Sequence, residues 1–445
     1  MTSATRSRSR GRRAPRQRTD EQSATTPEQQ GPTTATLRLH RRPGSLGPVR
    51  LQQLVLIQIA AALVLVAWIV GSWMMVPAAV VAGLLTLVAL VNRRQQALSE
   101  WYEVGRALRR RKREAKLPPP PGTDPGMAPV VECDPAVQTS TYVTREDRAI
   151  GMVGDGTFLT ALIAVEGKDA PLRPGRPGRV ERPLPLNLLH DALLTDDIRL
   201  ESVQVVQHTQ PAPAPHLPEH SVVARSYGSL KEASGIPSLR MTWVALKLTP
   251  ELTPEAVQAR GGGLGGAQRS LVRAADQLAS RLEGAGFSAT VLNEAEIVQA
   301  LATSSCLNPR VSNATSGAAD RRGTQRRTEE TVRGWRCDDR WHATYWISRW
   351  PQVGPSAVSS AHLASILTSL PVFTSVFSLT LGRGDGRYAS VAGHVRIVTR
   401  SENDLSDARR ELQRRAGRAK TGLVPLDREH VPGVLATLPL GGTSE

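Results

Sequence analysis

The chain has 445 residues, 40% of them apolar, and its formal net charge is +16. That length and composition exclude a wholly disordered protein and allow a sizeable core. The charge is uneven, because residues 1–116 contain 20 Lys and Arg against 6 Asp and Glu, whereas the rest is nearly neutral. This distribution is typical of membrane flanks, so no nucleic-acid partner is predicted. The three cysteines form no disulfide framework or zinc motif.

The N-terminal region divides into a tail and a short basic segment. Residues 1–36 are rich in Arg, Ser, Thr, Gln and Pro, a composition that predicts a disordered basic tail. The tail could contact anionic lipid or RNA, although a solvated tail is the favoured interpretation. Residues 37–50 form a basic juxtamembrane segment.

An uncharged run of 41 residues extends from Leu51 to Val91. As one helix it would extend for roughly 60 Å, about twice the hydrocarbon thickness of a bilayer. The run therefore predicts two transmembrane helices, 51–70 and 74–91, joined as a hairpin. The stretch GSWMMVP supplies the turn, because Gly71 and Ser72 favour a reversal and Pro77 suits the first turn of a helix.

Both ends of the uncharged run are basic, whereas the turn between the predicted spans carries no charge. By the positive-inside rule, this pattern places the N- and C-termini in the cytoplasm, and tryptophan rings belong at the membrane interface. The residues that mark this topology are Arg50, Trp68, Gly71, Trp73, Pro77, Arg93, Arg94, Arg109, Arg110 and Arg111.

Downstream of the run, residues 92–117 predict a basic juxtamembrane helix, and the Pro-rich segment 118–127 predicts a stiff linker. From 128 to 445, strand patterns such as SLRMTWVALKLT alternate with helical patterns such as AQRSLVRAADQLASRLEGAG. The fold class is therefore α/β, with an N-terminal two-helix transmembrane hairpin followed by a cytoplasmic α/β domain with a mixed sheet. The stretches near residue 175 and at 308–327 are predicted as exposed loops, and no internal repeat is visible.

Motifs for catalysis are weak throughout the chain, and no catalytic, cofactor or metal residue is predicted. The glycine run 261–266 lacks the Lys-Ser/Thr ending of a P-loop and is predicted to be a linker that opens a helix. Asp338 and Asp339 could coordinate a metal, but paired aspartates are also ordinary turn residues, and the turn is favoured. Asp385-Gly386 predicts a tight hairpin turn.

The order of these parts resembles the EccE family of type VII (ESX) secretion systems in actinobacteria. The resemblance rests on the basic tail, the paired spans, RAIGMVGDGTFLTALIAVEG at 148–167 and RGWRCDDRWHATYWISRWP at 333–351. It implies a non-catalytic subunit of the cytoplasmic-membrane complex that supports export of small WxG-type proteins. The implied partners are EccB, the EccC ATPase, EccD and the lipid bilayer. The alternative is a membrane-tethered, glycosyltransferase-like enzyme with a metal-sugar-nucleotide site at Asp338 and Asp339.

The predicted topology can be tested by labelling two introduced cysteines in intact cells. Ser72→Cys should react with an impermeant thiol reagent added from outside, because position 72 lies at the extracytoplasmic turn. Thr123→Cys should react only after the cells are opened. Labelling of position 123 in intact cells would overturn the topology.

Overall fold

The computed structural model describes most of the chain beyond the N-terminal tail. The described residues are 38–39, 45–46, 49–71, 76–83, 92–93, 96–118, 120, 123–167, 183–211, 238–308, 326–351, 360–383 and 389–442. They belong to one compact unit, Thr36–Glu445. The predicted tail, the loop near residue 175 and most of the loop at 308–327 lie outside the described residues.

The first predicted membrane span is helical along its whole length, as α1 (Leu51–Val70). A second helical stretch occupies 76–83, and the turn residues 72–75 lie outside the described residues. Within the part of the chain that the structure describes, no helix is both long and apolar enough to cross a membrane. The two spans therefore stay a prediction.

Most of the described strands belong to one large sheet. In chain order the strands are β1 (Arg38–Leu39), β2 (Ser45–Leu46), β3 (Val49–Arg50), β4 (Asn92–Arg93), β5 (Gln96–Ala97), β6 (Gln138–Val143), β7 (Ala149–Gly154), β8 (Leu159–Gly167), β9 (Leu194–Thr195), β10 (Ile198–Arg199), β11 (Ser202–Pro211), β12 (Ser238–Leu248), β13 (Phe287–Val291), β14 (Thr328–Glu330), β15 (Trp335–Cys337), β16 (Arg340–Arg349), β17 (Thr374–Arg383), β18 (Ala389–Thr399) and β19 (Gly422–Pro425). The order across the sheet is β14-β15-β16-β18-β17-β11-β12-β8-β7-β6, with β13 paired to β8, β19 to β16 and β1 to β18.

The sheet differs from the mixed sheet that the sequence predicts. Every described pair between β6 and β19 is antiparallel, and the parallel pair joins the two-residue β1 to β18. The reason is that many neighbouring strands are consecutive in the chain and are joined as hairpins, which forces them to run in opposite directions. Alternation of helical and strand patterns along a sequence does not distinguish this arrangement from parallel crossovers.

Helices cover both faces of the sheet. Beyond α1 they are α2 (Leu98–Glu114), α3 (Ala128–Cys133), α4 (Leu186–Ala192), α5 (Pro254–Ala259), α6 (Gly263–Gly284), α7 (Glu294–Ser304), α8 (Ser360–Thr368), α9 (Glu402–Arg418) and α10 (His430–Leu435). One apolar core lies between the sheet and α4, α5, α6, α8 and α9, and a second lies between the sheet and α3, α7 and α10. Successive strand residues alternate between the two cores, as Val205 and Val206 do.

The sheet contains two halves with the same order of elements. The first half runs from β6 to α7 and the second from β14 to α10. Each contains three strands, a helix, a two-strand hairpin, a helix, a strand and a last helix. The first half also carries the small β9-β10 hairpin and α5. The order across the sheet is palindromic, because counterpart strands lie at equal distances from its centre.

The strand registers show that the two halves correspond residue by residue. Val153 pairs with Thr160 in the first half as Trp335 pairs with His342 in the second, and both pairs span seven residues. Ile163 pairs with Val244 on one side and Val291 on the other. Three residues after His342, Tyr345 likewise pairs with Val395 and Pro425. A chance likeness of element order would not reproduce three ladders in register.

A pseudo-twofold axis passes between the two central strands. β11 and β17 are counterparts and pair with each other, and in this pairing Val206 lies opposite Ser378, its own counterpart. The structure therefore contains an internal repeat that is not visible in the sequence. The repeat is hidden in the sequence because counterpart positions carry unlike side chains: Arg396 corresponds to Ala245, and His342 to Thr160.

Several local predictions are confirmed, whereas some elements of the structure were not predicted. Helix α6 buries Leu271, Ala274, Leu278 and Leu282 on one face, as its apolar spacing predicts. Strands β17 and β18 form the predicted hairpin, whose tip at 384–388 lies outside the described residues. Helix α7 was not predicted, although the capping box between Asn293 and Glu296 that starts it is visible in the sequence.

The C-terminal segment after α10 is held on the first half by Gln204, which is fully buried in β11. Its amide donates to the Ala436 carbonyl (2.9 Å) and accepts from the Gly441 N–H (2.8 Å). We expect Gln204→Leu, which keeps the volume but leaves the Gly441 N–H without its acceptor, to lower the free energy of unfolding by about 2 kcal/mol, because the Ala436 carbonyl keeps its hydrogen bond from Ser378. Denaturant unfolding of the purified chain in detergent measures this, and the exposed Gln413→Leu is the control. Equal stability of the two variants would contradict the role assigned to Gln204.

Candidate functional site: the docked basic helix

The basic helix α2 has one face toward the α/β domain and one toward solvent. Leu108 on the inner face is only 6% exposed, and Val104 and Arg111 on the same side are partly buried. The outward basic side chains are Arg106, Arg109, Arg110, Lys112 and Arg113. The helix therefore presents a cationic surface while one arginine of the same segment is turned inward.

That inward arginine, Arg111, is bound to the second half of the domain. Its guanidinium donates to both oxygens of the Glu330 carboxylate, at 2.8 and 3.0 Å, and to the Arg428 carbonyl at 2.6 Å. The Glu330 side chain is 5% exposed and also accepts from the Val431 N–H (3.1 Å) at the start of α10. A bidentate pair of this kind fixes position as well as compensating charge. Arg111 thus ties α2 to both β14 and α10.

The structure places the predicted topology residues in different environments. Trp68 is 76% exposed near the end of α1, and Gly71 follows that helix directly. Arg109 and Arg110 are exposed on α2, whereas Arg111 is engaged by the domain. Pro77 is exposed in the helical stretch 76–83; Arg50 and Arg93 are described in backbone only, and Trp73 and Arg94 lie outside the described residues. Their role as topology markers stays a prediction.

Asp338 and Asp339 form the turn between β15 and β16, as the turn interpretation predicts. Asp338 is held by two hydrogen bonds from Arg327 (2.9 and 2.7 Å) and accepts from the Asn308 N–H. Asp339 accepts from the Asn308 side chain and lies 3.4 Å from Arg340. Both carboxylates therefore have protein partners. Among the residues that the structure describes, no three His, Cys, Asp or Glu side chains are grouped to hold a metal ion.

A buried arginine lies at the centre of the second half, between the sheet and α7. Arg396 is fully buried, donates to the Ser304 carbonyl (2.6 Å) at the end of α7 and contacts the His342 ring (3.3 Å). Within the described chain no carboxylate pairs with it. The negative end of a helix dipole attracts a cation, so this contact partly compensates the buried charge. Arg396 therefore serves to join α7 to the sheet.

The groups near Arg396 are kept uncharged by their surroundings. Burial lowers the pKa of His342 well below its usual value, and the cations Arg396 and Arg340 lower it further. Burial also raises the pKa of the Cys306 and Cys337 thiols, so neither is an activated nucleophile. The side chains around Arg396 are therefore buried polar residues of the core.

A groove of about 610 Å³ runs beside α9, β19 and the start of β16. Its central side chain, Arg409, donates to the Tyr345 hydroxyl and the Arg333 carbonyl, both at 2.9 Å, and pairs with Asp427. The glycine run predicted to open a helix does so, since α6 begins at Gly263. Neither feature arranges a nucleophile with a base among the described residues.

One comparison with known proteins finds a family match. The family model EccE, described as a putative type VII ESX secretion system translocon, matches residues 236–347. This segment of the chain is similar to the EccE family. The matched segment extends from β12 through α6 and α7 into β16, so it crosses from the first half of the sheet into the second. No curated protein matches the chain. The EccE match confirms the resemblance that the sequence gives.

The residues that tie α2 to the domain carried no signal in the sequence. Arg111 and Glu330 are 219 positions apart in the sequence. No local pattern distinguishes Glu330 from the other acidic residues of the chain as the partner of Arg111. Only the fold shows that this particular arginine differs from Arg109 and Arg110 in its neighbours.

Removal of the Arg111 side chain should leave the buried Glu330 carboxylate without its cation. We expect Arg111→Ala to lower the free energy of unfolding by about 3 kcal/mol, the low end of the range for broken buried pairs, since Arg111 keeps 22% exposure. Arg110→Ala is the matched control, because the adjacent side chain is 83% exposed and pairs only with Glu114 among the described residues. Thermal unfolding in detergent compares the two variants, and equal melting temperatures would contradict the Arg111 contact.

Proposed function

We propose that the chain is a non-catalytic structural subunit of a type VII (ESX) secretion complex in the cytoplasmic membrane, supporting export of small WxG-type proteins. The match of residues 236–347 to the EccE family carries this proposal. A role in assembly agrees with the contacts of three polar side chains, Asp338, Asp339 and Arg409. Each of them already binds another part of the same domain.

The proposed location is the membrane, with two spans and both termini in the cytoplasm. Helix α1 supports this location, because Leu65, Trp68 and Ile69 are more than half exposed. Exposed apolar side chains along a helix favour a bilayer or other membrane helices as surroundings. The outward arginines of α2 would then lie near anionic headgroups, which attract basic residues next to a span.

The proposed partners are the other membrane components of the complex, EccB, the EccC ATPase and EccD. In this arrangement the ATPase supplies the energy. The glycine run of this chain lacks the lysine of a P-loop, so no nucleotide is assigned to it in this proposal. The contribution of the chain would be the rigid α/β domain and its docked helix.

A pull-down from the native membrane tests this role. The full-length tagged chain, solubilised in mild detergent, should recover a P-loop ATPase and a multi-spanning membrane protein, identified by mass spectrometry. A tagged, unrelated membrane protein of the same host is the control. Recovery of the chain alone would overturn the proposal.

The same preparation distinguishes the enzymatic alternative. Asp338→Ala combined with Asp339→Ala should leave any sugar-nucleotide binding unchanged, because both carboxylates are bound by Arg327, Asn308 and Arg340. Metal-dependent sugar-nucleotide binding by the unaltered chain that disappears in this double variant would support the transferase instead.

A further inference from the structure

The two outermost strands of the sheet are counterparts, but their surroundings differ. In the second half the outer strand β14 is three residues long, and two of its residues are buried. The N–H groups of Arg327 and Thr328 donate to the Glu132 carboxylate of α3, at 2.9 and 2.8 Å. Glu132 thus occupies the hydrogen-bonding positions that a further strand would need.

Helix α2 adds to this cover through the Arg111 and Glu330 pair. Glu330 is the last residue of β14, and its ladder partner Trp335 corresponds to Val153 in the first half. Natural sheets protect their edges with short strands, charged side chains or a covering helix. The β14 edge shows all three.

The opposite edge, β6, shows none of these features. It is six residues long, its sequence QTSTYV contains no charge and no proline, and every residue is exposed or half-buried. Val143 is 56% exposed. In the described structure β6 pairs with β7 alone. Its outer backbone groups therefore form a template for another strand.

The chain also holds β6 in an extended shape. The hydroxyls of Thr139 and Thr141, two residues apart on one side of the strand, both donate to the Glu294 carboxylate at the start of α7. These hydrogen bonds lower the pKa of Glu294, so its carboxylate stays ionised. A strand fixed in this way loses little conformational entropy when it acquires a neighbour.

We propose that β6 pairs antiparallel with β6 of a second copy of this chain, so that the two sheets become continuous across a twofold axis. A twofold pairing with its axis at the middle of the strand places Ser140 opposite Ser140 of the other copy, and Gln138 opposite Tyr142. The strand QTSTYV has no charged side chain, so none of its residues faces a like charge across the axis, which would oppose the pairing. The domain already contains this geometry, because its own halves join through the antiparallel counterparts β11 and β17.

Two differently tagged copies of the full chain test the pairing and its register. In a Cys133→Ser background, one copy carries Gln138→Cys and the other Tyr142→Cys; Cys306 and Cys337 are buried. Directly opposite positions have Cβ atoms about 5 Å apart, within reach of a disulfide. We expect mild oxidation in membranes to give a disulfide-linked product of twice the chain's mass that contains both tags. Either variant expressed alone should give none, because identical positions lie at opposite ends of the paired strands.

Ser140→Lys, added to both copies, places two ammonium groups near the axis and should abolish the linked product. Leu264→Lys is the matched control, since Leu264 is 65% exposed on α6. Absence of the linked product in the mixed sample, its persistence with Ser140→Lys, or linkage of position 138 to a different protein would each overturn the self-pairing. The pairing involves no other subunit, so its failure is separate from failure of the ATPase pull-down.

Discussion

The central pairing of β11 with β17 is the constraint on which the rest of the domain depends. Eight consecutive residue pairs join these strands, from Ser202 and Gly382 to Thr209 and Ser375. Without this ladder each half would present a long and mostly buried strand as an open edge, whose backbone groups water could not reach without exposing the core. With it, ten strands form a continuous path, and helices on both faces bury two separate apolar cores.

The duplicated architecture also explains where the chain departs from symmetry. Each half must cover its outer strand and the end of its last helix, yet only the second half is covered by segments that precede the first half in sequence. Glu132 of α3 and Arg111 of α2 reach β14 from nearly 200 residues or more away. These long-range contacts link the basic helix to the most distant strand of the sheet, so the helix and the domain move together.

The buried charged residues also differ between the two halves. In the second half Arg396 occupies a place that Ala245 fills in the first, and it is compensated by the end of α7 instead of a carboxylate. Asp338 takes the positive φ of 52° that Gly156, with φ of 95°, takes in the counterpart turn. Arg327 then fixes that aspartate. Polar groups that resemble catalytic residues in the sequence thus contribute to the packing of one half.

The sequence by itself determined the local properties of this protein. Apolar spacing fixed α6, period-two alternation indicated β11 and β12, and the uneven charge set apart the basic N-terminal region from the domain, because each of these signals is carried by neighbouring residues. The sequence also carried enough of the EccE pattern to match that family over residues 236–347. Only the tertiary structure decided the antiparallel order of the sheet, the twofold repeat and the inward turn of Arg111. Each of these depends on contacts between residues far apart in the chain, and a sheet accepts many side chains at counterpart positions if volume and register are kept.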